Sequence, residues 1–279
     1  MLEVSCSGSL LSSNRVFFIV LLAIFAAPGS SHEQAIETPV DVVRRHIDAV
    51  IARDTRIATQ TLQDRVALFE APTDPDQLTG SRSADQNTGE AALSVLLRRS
   101  LAEEVGGFVS VADLVAASTR TKQTTAAPGR TSLRLYRVRE GRISAIWNLV
   151  EASADPTIGR NEARIRDFVK ASNAGDIPAF LAHFSSDAKL WRAAADDNLV
   201  GPLSERMSTA QGRAEIIVNA FAKGPPGQAE IVDLVAVGDL VVTHDRVTLP
   251  TRVVLHQMKI YRLRDGLITH DWTAYERPE

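Results

Sequence analysis

Histidine is unevenly shared between the two halves of this 279-residue sequence: His183, His244, His256 and His270 fall in the second, and only His46 in the body of the first. Two of them stand in His-Asp dipeptides, His244-Asp245 and His270-Asp271. Histidine titrates near neutrality and serves as acid or base, and a nearby carboxylate raises its basicity. Adjacent residues of a strand point to opposite faces, so neither dipeptide is itself a working pair and a dyad must form across strands. On the last strand, Ile268, His270 and Trp272 are expected to share the concave, apolar face. The expected acid–base site is therefore His270 with Asp245 or His244 from an earlier strand, and Arg192 as an electrophilic or anion-holding group. Trp272, Trp191, Phe184 and Tyr261 are the candidate ligand-binding aromatics. The competing reading makes all of these exposed or hydrogen-bonded sheet residues. No His-x-His or His-x-x-x-His spacing occurs, so no metal is expected. No phosphate-cradling glycine loop occurs either; Gly224-Pro225-Pro226-Gly227 reads as a turn, and no cofactor is expected.

The elements that must position these residues are written twice. The run from Arg134 to Trp147 returns from Lys259 to Trp272, about 125 residues later, with Tyr136-Arg137 matching Tyr261-Arg262 and Glu140-Gly141 matching Asp265-Gly266. Such a period is a whole domain copied once rather than a solenoid unit of ~20–50 residues. The second copy opens with a helix from Glu162 to Ala174 carrying Ile165, Phe168 and Val169 on one face. Gly175 suits a left-handed helix end, and Asp176 suits the cap of a second short helix with Phe180 and Phe184. The first copy has the same plan, with Asp54 as the cap, but its inter-helix turn lacks the glycine. A short extended piece, a third helix (opened by Gly89-Glu90 in one copy and Gly212-Arg213 in the other) and strands joined by acid–glycine turns follow. Each copy reads as α+β: three helices on a curved antiparallel sheet.

The Asn173-Ala174-Gly175-Asp176 turn, Gly212-Arg213-Ala214-Glu215-Ile216, Gly238-Asp239-Leu240-Val241 and the stretch from Tyr261 to Trp272 together resemble the nuclear transport factor two-like superfamily, and within it the SnoaL-like branch. The resemblance spans 161–277 and, more loosely, 39–154. It implies two tandem cone-shaped domains whose sheets wrap blind, apolar-lined pockets. Members include polyketide cyclases, ketosteroid isomerases, epoxide hydrolases, dehydratases and non-catalytic binding domains, so fold does not choose the reaction. Where some of those enzymes carry acids, this chain has Arg192, Thr248, Ala274, Asn148 and Thr273. Single domains of the superfamily commonly dimerise through their sheets, which implies an intramolecular pseudo-dimer here.

Residues 1–31 read as a secretory signal: the apolar run from Val16 to Ala27 is too short to span a bilayer and ends in Pro28-Gly29. The expected location is secreted or periplasmic, with no stable membrane span after cleavage. Cys6, the only cysteine, would leave with the signal. The net charge of −3 is spread along the chain, which gives no basic stripe for nucleic acid. The sequence thus describes an exported tandem protein with a degenerate first domain. Its second domain binds a small, largely apolar molecule, with cofactor-independent acid–base turnover (isomerase, cyclase, hydratase or hydrolase) if it is an enzyme. The alternative is a non-catalytic scaffold or interaction module with filled pockets.

Overall fold

The computed structural model describes residues 37–74, 76–82, 88–99, 103–121, 129–153, 158–194, 198–224 and 227–278. The expected signal, Cys6 and most of the inter-domain link lie outside them. The first half runs α1 (Pro39–Ala52), α2 (Thr55–Gln60), β1 (Leu62–Phe69), α3 (Gly89–Arg99), β2 (Glu103–Val111), β3 (Leu114–Thr121), β4 (Arg130–Arg139) and β5 (Arg142–Ser153). The second repeats it as α4 (Ile158–Ala174), α5 (Ile177–Leu181), β6 (Phe184–Trp191), α6 (Ala210–Ala222), β7 (Gln228–Val237), β8 (Leu240–Thr248), β9 (Val254–Arg264) and β10 (Leu267–Pro278). The sheet orders correspond strand for strand, β1-β5-β4-β3-β2 and β6-β10-β9-β8-β7. These are two tandem α+β domains of one architecture. One detail extends the expected antiparallel meander: β1 and β6 join the sheet edges parallel to β5 and β10. A parallel neighbour cannot follow by a tight turn, and helix α3 or α6 fills the excursion before the meander begins.

Local chemistry explains where the elements stop. Thr38 caps α1 with a capping box closed by Asp41, and Asp54 and Asp176 cap α2 and α5 by accepting from the Ile57 and Ala179 amides. The acid–glycine hairpins β4–β5 and β9–β10 have both central residues left-handed, at φ 53° and 70° for Glu140 and Gly141 and 51° and 75° for Asp265 and Gly266, as a two-residue turn between twisted strands requires. The α4–α5 turn places Gly175 at φ 69°, while the α1–α2 turn forces Arg53 to φ 56°. A side chain in that region crowds the following carbonyl by about 1 kcal/mol. Arg53→Gly is therefore expected to stabilise the protein by about 0.5–1 kcal/mol, read as a higher denaturant midpoint at constant m value; a loss of stability would show that the arginine side chain contributes more than its backbone costs.

Each sheet has two apolar faces. In the first domain Val115, Ala117, Tyr136, Ile143 and Ile146 pack beneath α1 and α3. In the second Val241, Tyr261, Leu263 and Ile268 pack beneath α4 and α5 with Phe168, Phe180 and Phe184. The opposite faces meet in a shared cluster: Val109, Leu114, Leu133, Leu135 and Trp147 from one half with Leu240, Val242, Met258, Ile260 and Trp272 from the other. The sheets thus pack back to back, and each helical layer faces away from the joint.

Candidate functional site

Strand alternation fixes which side chains reach the concave side of the second domain. Val241 and Tyr261 belong to the helix-facing core, while Leu240, Val242, Met258 and Ile260 belong to the joint. Period two then carries Thr243 and Asp245 on β8, and Gln257 and Lys259 on β9, to the concave face. On β10 the registers to both β6 and β9 shift between Ile268 and His270. That bulge spends Thr269 as an extra residue and re-aims the stretch after it, up to a second register shift between Thr273 and Tyr275. Ile268 remains in the helix-facing core, Asp271 and Thr273 follow it inward, and His270 and Trp272 turn to the joint. The expected shared face of Ile268, His270 and Trp272 is therefore corrected, and the acid of the His270-Asp271 dipeptide enters the domain instead of its histidine.

Three rungs of the sheet form the floor of the resulting site. Asp245 pairs with Gln257, Thr243 with Lys259 and Lys259 with Thr273, and Tyr261 with Asp271. Lys259 is thus central, with the two carboxylates diagonal to it on either side, within reach of a long side chain. Its Nζ lies 2.6 Å from Asp271 Oδ1 and donates to Thr273 Oγ1 at 2.9 Å. Asp245 is 4% exposed, and its Oδ1 accepts no hydrogen bond. Burial pushes its carboxyl up to about 6; the neighbouring Thr243 hydroxyl, the Lys259 cation and the Tyr261 hydroxyl only partly oppose this, and the Asp271 charge adds to it. Burial also raises the Tyr261 hydroxyl well above its usual range, with both carboxylates adding to the effect, so it stays neutral.

A cavity of about 360 Å³ stands above this floor. Phe168 and Val169 of α4, Phe180 of α5 and Phe184 and Leu190 of β6 line its apolar side, and Asp245, Lys259, Tyr261 and Asp271 its polar end. Its size is within the range of small-molecule sites, and an apolar chamber with a few convergent polar groups is their usual composition. A larger groove of about 950 Å³ lies between α2, β1 and α3 of the first domain, but its lining includes no buried titratable group.

Of the residues singled out by sequence, Asp245, Tyr261 and Phe184 lie on the cavity wall. The others do not. His270 is stacked on Trp191 and Trp272, with ring centroids 5.6 and 5.0 Å away, and its Nε2 is 3.3 Å from Asp76 Oδ1 of the first domain. Burial, then the positive charge of Arg262, pushes His270 down to about 4, so at neutral pH it is an uncharged packing group. Trp191 and Trp272 form the shelf beneath it on the joint side, their rings 5.2 Å apart. His244 faces the same side as Val242, and its Nε2 is 2.8 Å from His256 Nδ1. Arg192 is exposed at the end of β6, its backbone bridging to Pro202 and Gly201. Among the described residues no group of three or more His, Cys, Asp or Glu side chains is arranged to hold a metal ion.

Nothing in the second copy alone marks Lys259 and Asp271 as cavity residues, but the internal repeat carries a signal for them. Leu114 pairs with Arg137 as Leu240 pairs with Arg262, which makes Thr119 the counterpart of Asp245. Likewise Tyr136 pairs with Ile146 as Tyr261 pairs with Asp271. The first domain thus has Thr119, bonded to Ser132 at 2.6 Å, and buried Ile146 where the second has carboxylates. It keeps the cation, as Arg134 bonded to Asn148 at 3.1 Å, and the tyrosine. The halves differ in acids on the concave face more than in histidines.

The sequence matches the SnoaL-like domain family over residues 165–271. The second domain is SnoaL-like. Solved structures similar to the chain include a nuclear transport factor two-like protein of unknown function from Mesorhizobium loti, at 14% identity and TM-score 0.36, covering 45% of this chain and 95% of its own. Another, from Cytophaga hutchinsonii, is 11% identical with TM-score 0.32 and covers 43% and 89%. A cystatin-fold protein from Novosphingobium aromaticivorans is 21% identical with TM-score 0.34, covering 40% and 94%. Each of these spans a single domain's share of the present chain. No curated protein sequence gives a significant match. The SnoaL-like match ends at Asp271, on the floor of the cavity, so it takes in β8, β9 and all four residues of the polar end.

Proposed function

We propose that the second, SnoaL-like domain binds a small, largely apolar molecule in the cavity above β8–β10, and that Asp245 exchanges a proton with it. The observation that carries this reading is the Asp245 Oδ1 atom, buried without a hydrogen-bond partner at the polar end of an apolar chamber. A buried acceptor left unpaired costs roughly 1–3 kcal/mol, a cost that a bound donor removes. A carboxyl poised near 6 also sits close to the operating pH of a neutral compartment, where an acid–base group is most effective. Lys259, held between two acids, stabilises negative charge that develops on the bound molecule. Turnover of isomerase, cyclase or hydratase type follows from such a set without a cofactor. In this reading the first domain serves as the packing partner, the chain is its own pseudo-dimer, and the molecule is exported on its N-terminal signal.

Two measurements test it. Small apolar molecules that fit about 360 Å³ are expected to raise the melting temperature of the full chain, by roughly 2.7 kcal/mol of added stability at a hundredfold excess over Kd. Ser172, on the α4 wall of the cavity, offers the control: Ser172→Phe fills the chamber and is expected to abolish the shift while the protein stays folded. A shift that survives the filled cavity places binding elsewhere and sinks the reading. Export predicts a secreted or periplasmic product whose first residue lies near position 32, which N-terminal sequencing reads directly.

A further inference from the structure

The charges around the cavity define the kind of molecule it suits. Among the described residues that line it, the ionisable side chains are Asp245 on β8, Lys259 and Tyr261 on β9 and Asp271 on β10. The lining residues of α4, α5 and β6 are Phe168, Val169, Ser172, Phe180, Phe184 and Leu190, none of which titrates. Lys259 and Asp271 neutralise one another at 2.6 Å, and Tyr261 is uncharged. Once Asp245 ionises, one negative charge therefore remains without a counter-ion, on a carboxylate whose Oδ1 has no donor. A buried charge in that condition is costly, and the side chains above it are apolar or aromatic apart from the Ser172 hydroxyl on α4, which carries no charge to offset it. Aromatic faces attract cations as well, and Tyr261 already has the Lys259 ammonium 5.9 Å from its ring centre.

We infer that the ligand of the second domain is a lipophilic amine, whose ammonium N–H donates to Asp245 Oδ1 while its apolar body fills the chamber between Phe168, Phe180 and Phe184. This rests on the reading of the cavity as a small-molecule site and supplies the chemical class. The amine cancels the residual charge, satisfies the orphan oxygen and buries its hydrocarbon in one step. A carboxylate ligand would add a second uncompensated negative charge. A neutral alcohol would satisfy the oxygen but leave the charge.

Three probes with one hydrocarbon cage separate the possibilities: adamantylamine, adamantanol and adamantane carboxylate, titrated into the full chain by calorimetry. At about pH 7.5 the amine is expected to bind about tenfold or more tighter than the alcohol, as a charge-assisted bond exceeds a neutral one, and the carboxylate weakest. The amine should weaken as pH falls through the Asp245 transition, and Asp245→Asn should erase its advantage over the alcohol. Ser172→Phe should block amine and alcohol alike. If the alcohol or the carboxylate binds wild type as tightly as the amine, or if Asp245→Asn keeps the preference, the amine assignment is overturned while the cavity remains a ligand site. If none of the three binds wild type, the amine assignment and the ligand-site reading fall together.

Discussion

Asp245→Asn is expected to stabilise the protein by about 2 kcal/mol at pH 7.5 and to leave it within about 0.5 kcal/mol of wild type at pH 4. The sign follows from the direction of the shift. The Asp245 carboxyl lies at about 6 when folded, above its ordinary value of 3.8. Between those two values the folded state holds a proton that the unfolded chain has released. Stability therefore falls as pH rises through the window, and the loss is complete above about pH 6. A shift of about two units corresponds to roughly 3 kcal/mol. Asparagine removes the charge but buries an amide N–H pair with few partners, which returns about 1 kcal/mol. Urea denaturation at half-unit intervals from about pH 4 to 8 reads both limbs. Curves for the two proteins that run parallel across the range would mean that Asp245 is solvated in the folded state, and the account of the site would fail with it. The same substitution should abolish any proton transfer, because the stability it recovers is the strain that keeps the carboxylate reactive.

Most of the architecture is legible in the residues because it rests on local chemistry written twice. Asp54 and Asp176 announce helix starts, Glu140-Gly141 and Asp265-Gly266 announce hairpins, and the copied Tyr-Arg strands announce two domains. The site is less legible for one physical reason. A bulge at Thr269 changes nothing in composition, yet it reverses the faces of the residues from His270 to Thr273 on β10, up to the next register shift before Tyr275. The same break occurs between Ile143 and Ala145 on β5, so it belongs to the fold and is copied with it. His270 drew attention because imidazole titrates near neutrality without help. Burial instead carries that side chain down to about 4 and brings an aspartate up to about 6. The working pKa is a property of the enclosure, which no residue type reveals. The parallel edge strands are hidden for a related reason: a strand paired through a long excursion has no turn to mark its partner. What the sequence does hold, once the halves are aligned by pairing, is the exchange of Thr119 and Ile146 for Asp245 and Asp271. An apolar or hydroxyl position that becomes acidic in one copy of a buried sheet face is a stronger pointer to chemistry than an extra histidine.

Arg213→Met is expected to destabilise the protein by about 4 kcal/mol, lowering the melting temperature by roughly 10 °C. Arg213 is almost fully buried at the start of α6, and its donors go to backbone carbonyls: Ala188 and Met207 at 2.9 Å, Ser185 at 2.7 Å and Ser186 at 3.3 Å. The guanidinium also lies over the Phe184 ring, 5.3 Å from its centre. One planar fork thereby ties β6 to the turn before α6, a task that a point-charge ammonium does not share. Arg213→Lys should recover less than half of the loss. The first domain has Glu90 at the matching helix start and manages without this clasp, since there Leu62 and Val66 of β1 pack with Leu93 of α3 in the apolar core. Because the apolar joint spans both halves, from Leu114 and Trp147 to Leu240 and Trp272, the variant should still melt in a single transition rather than shedding its second domain first. Ligand binding should weaken along with stability, since β6 carries Phe184 and Leu190 to the cavity wall. A variant that loses less than about 1 kcal/mol, or that melts in two steps, would show that the clasp or the joint is weaker than these contacts require.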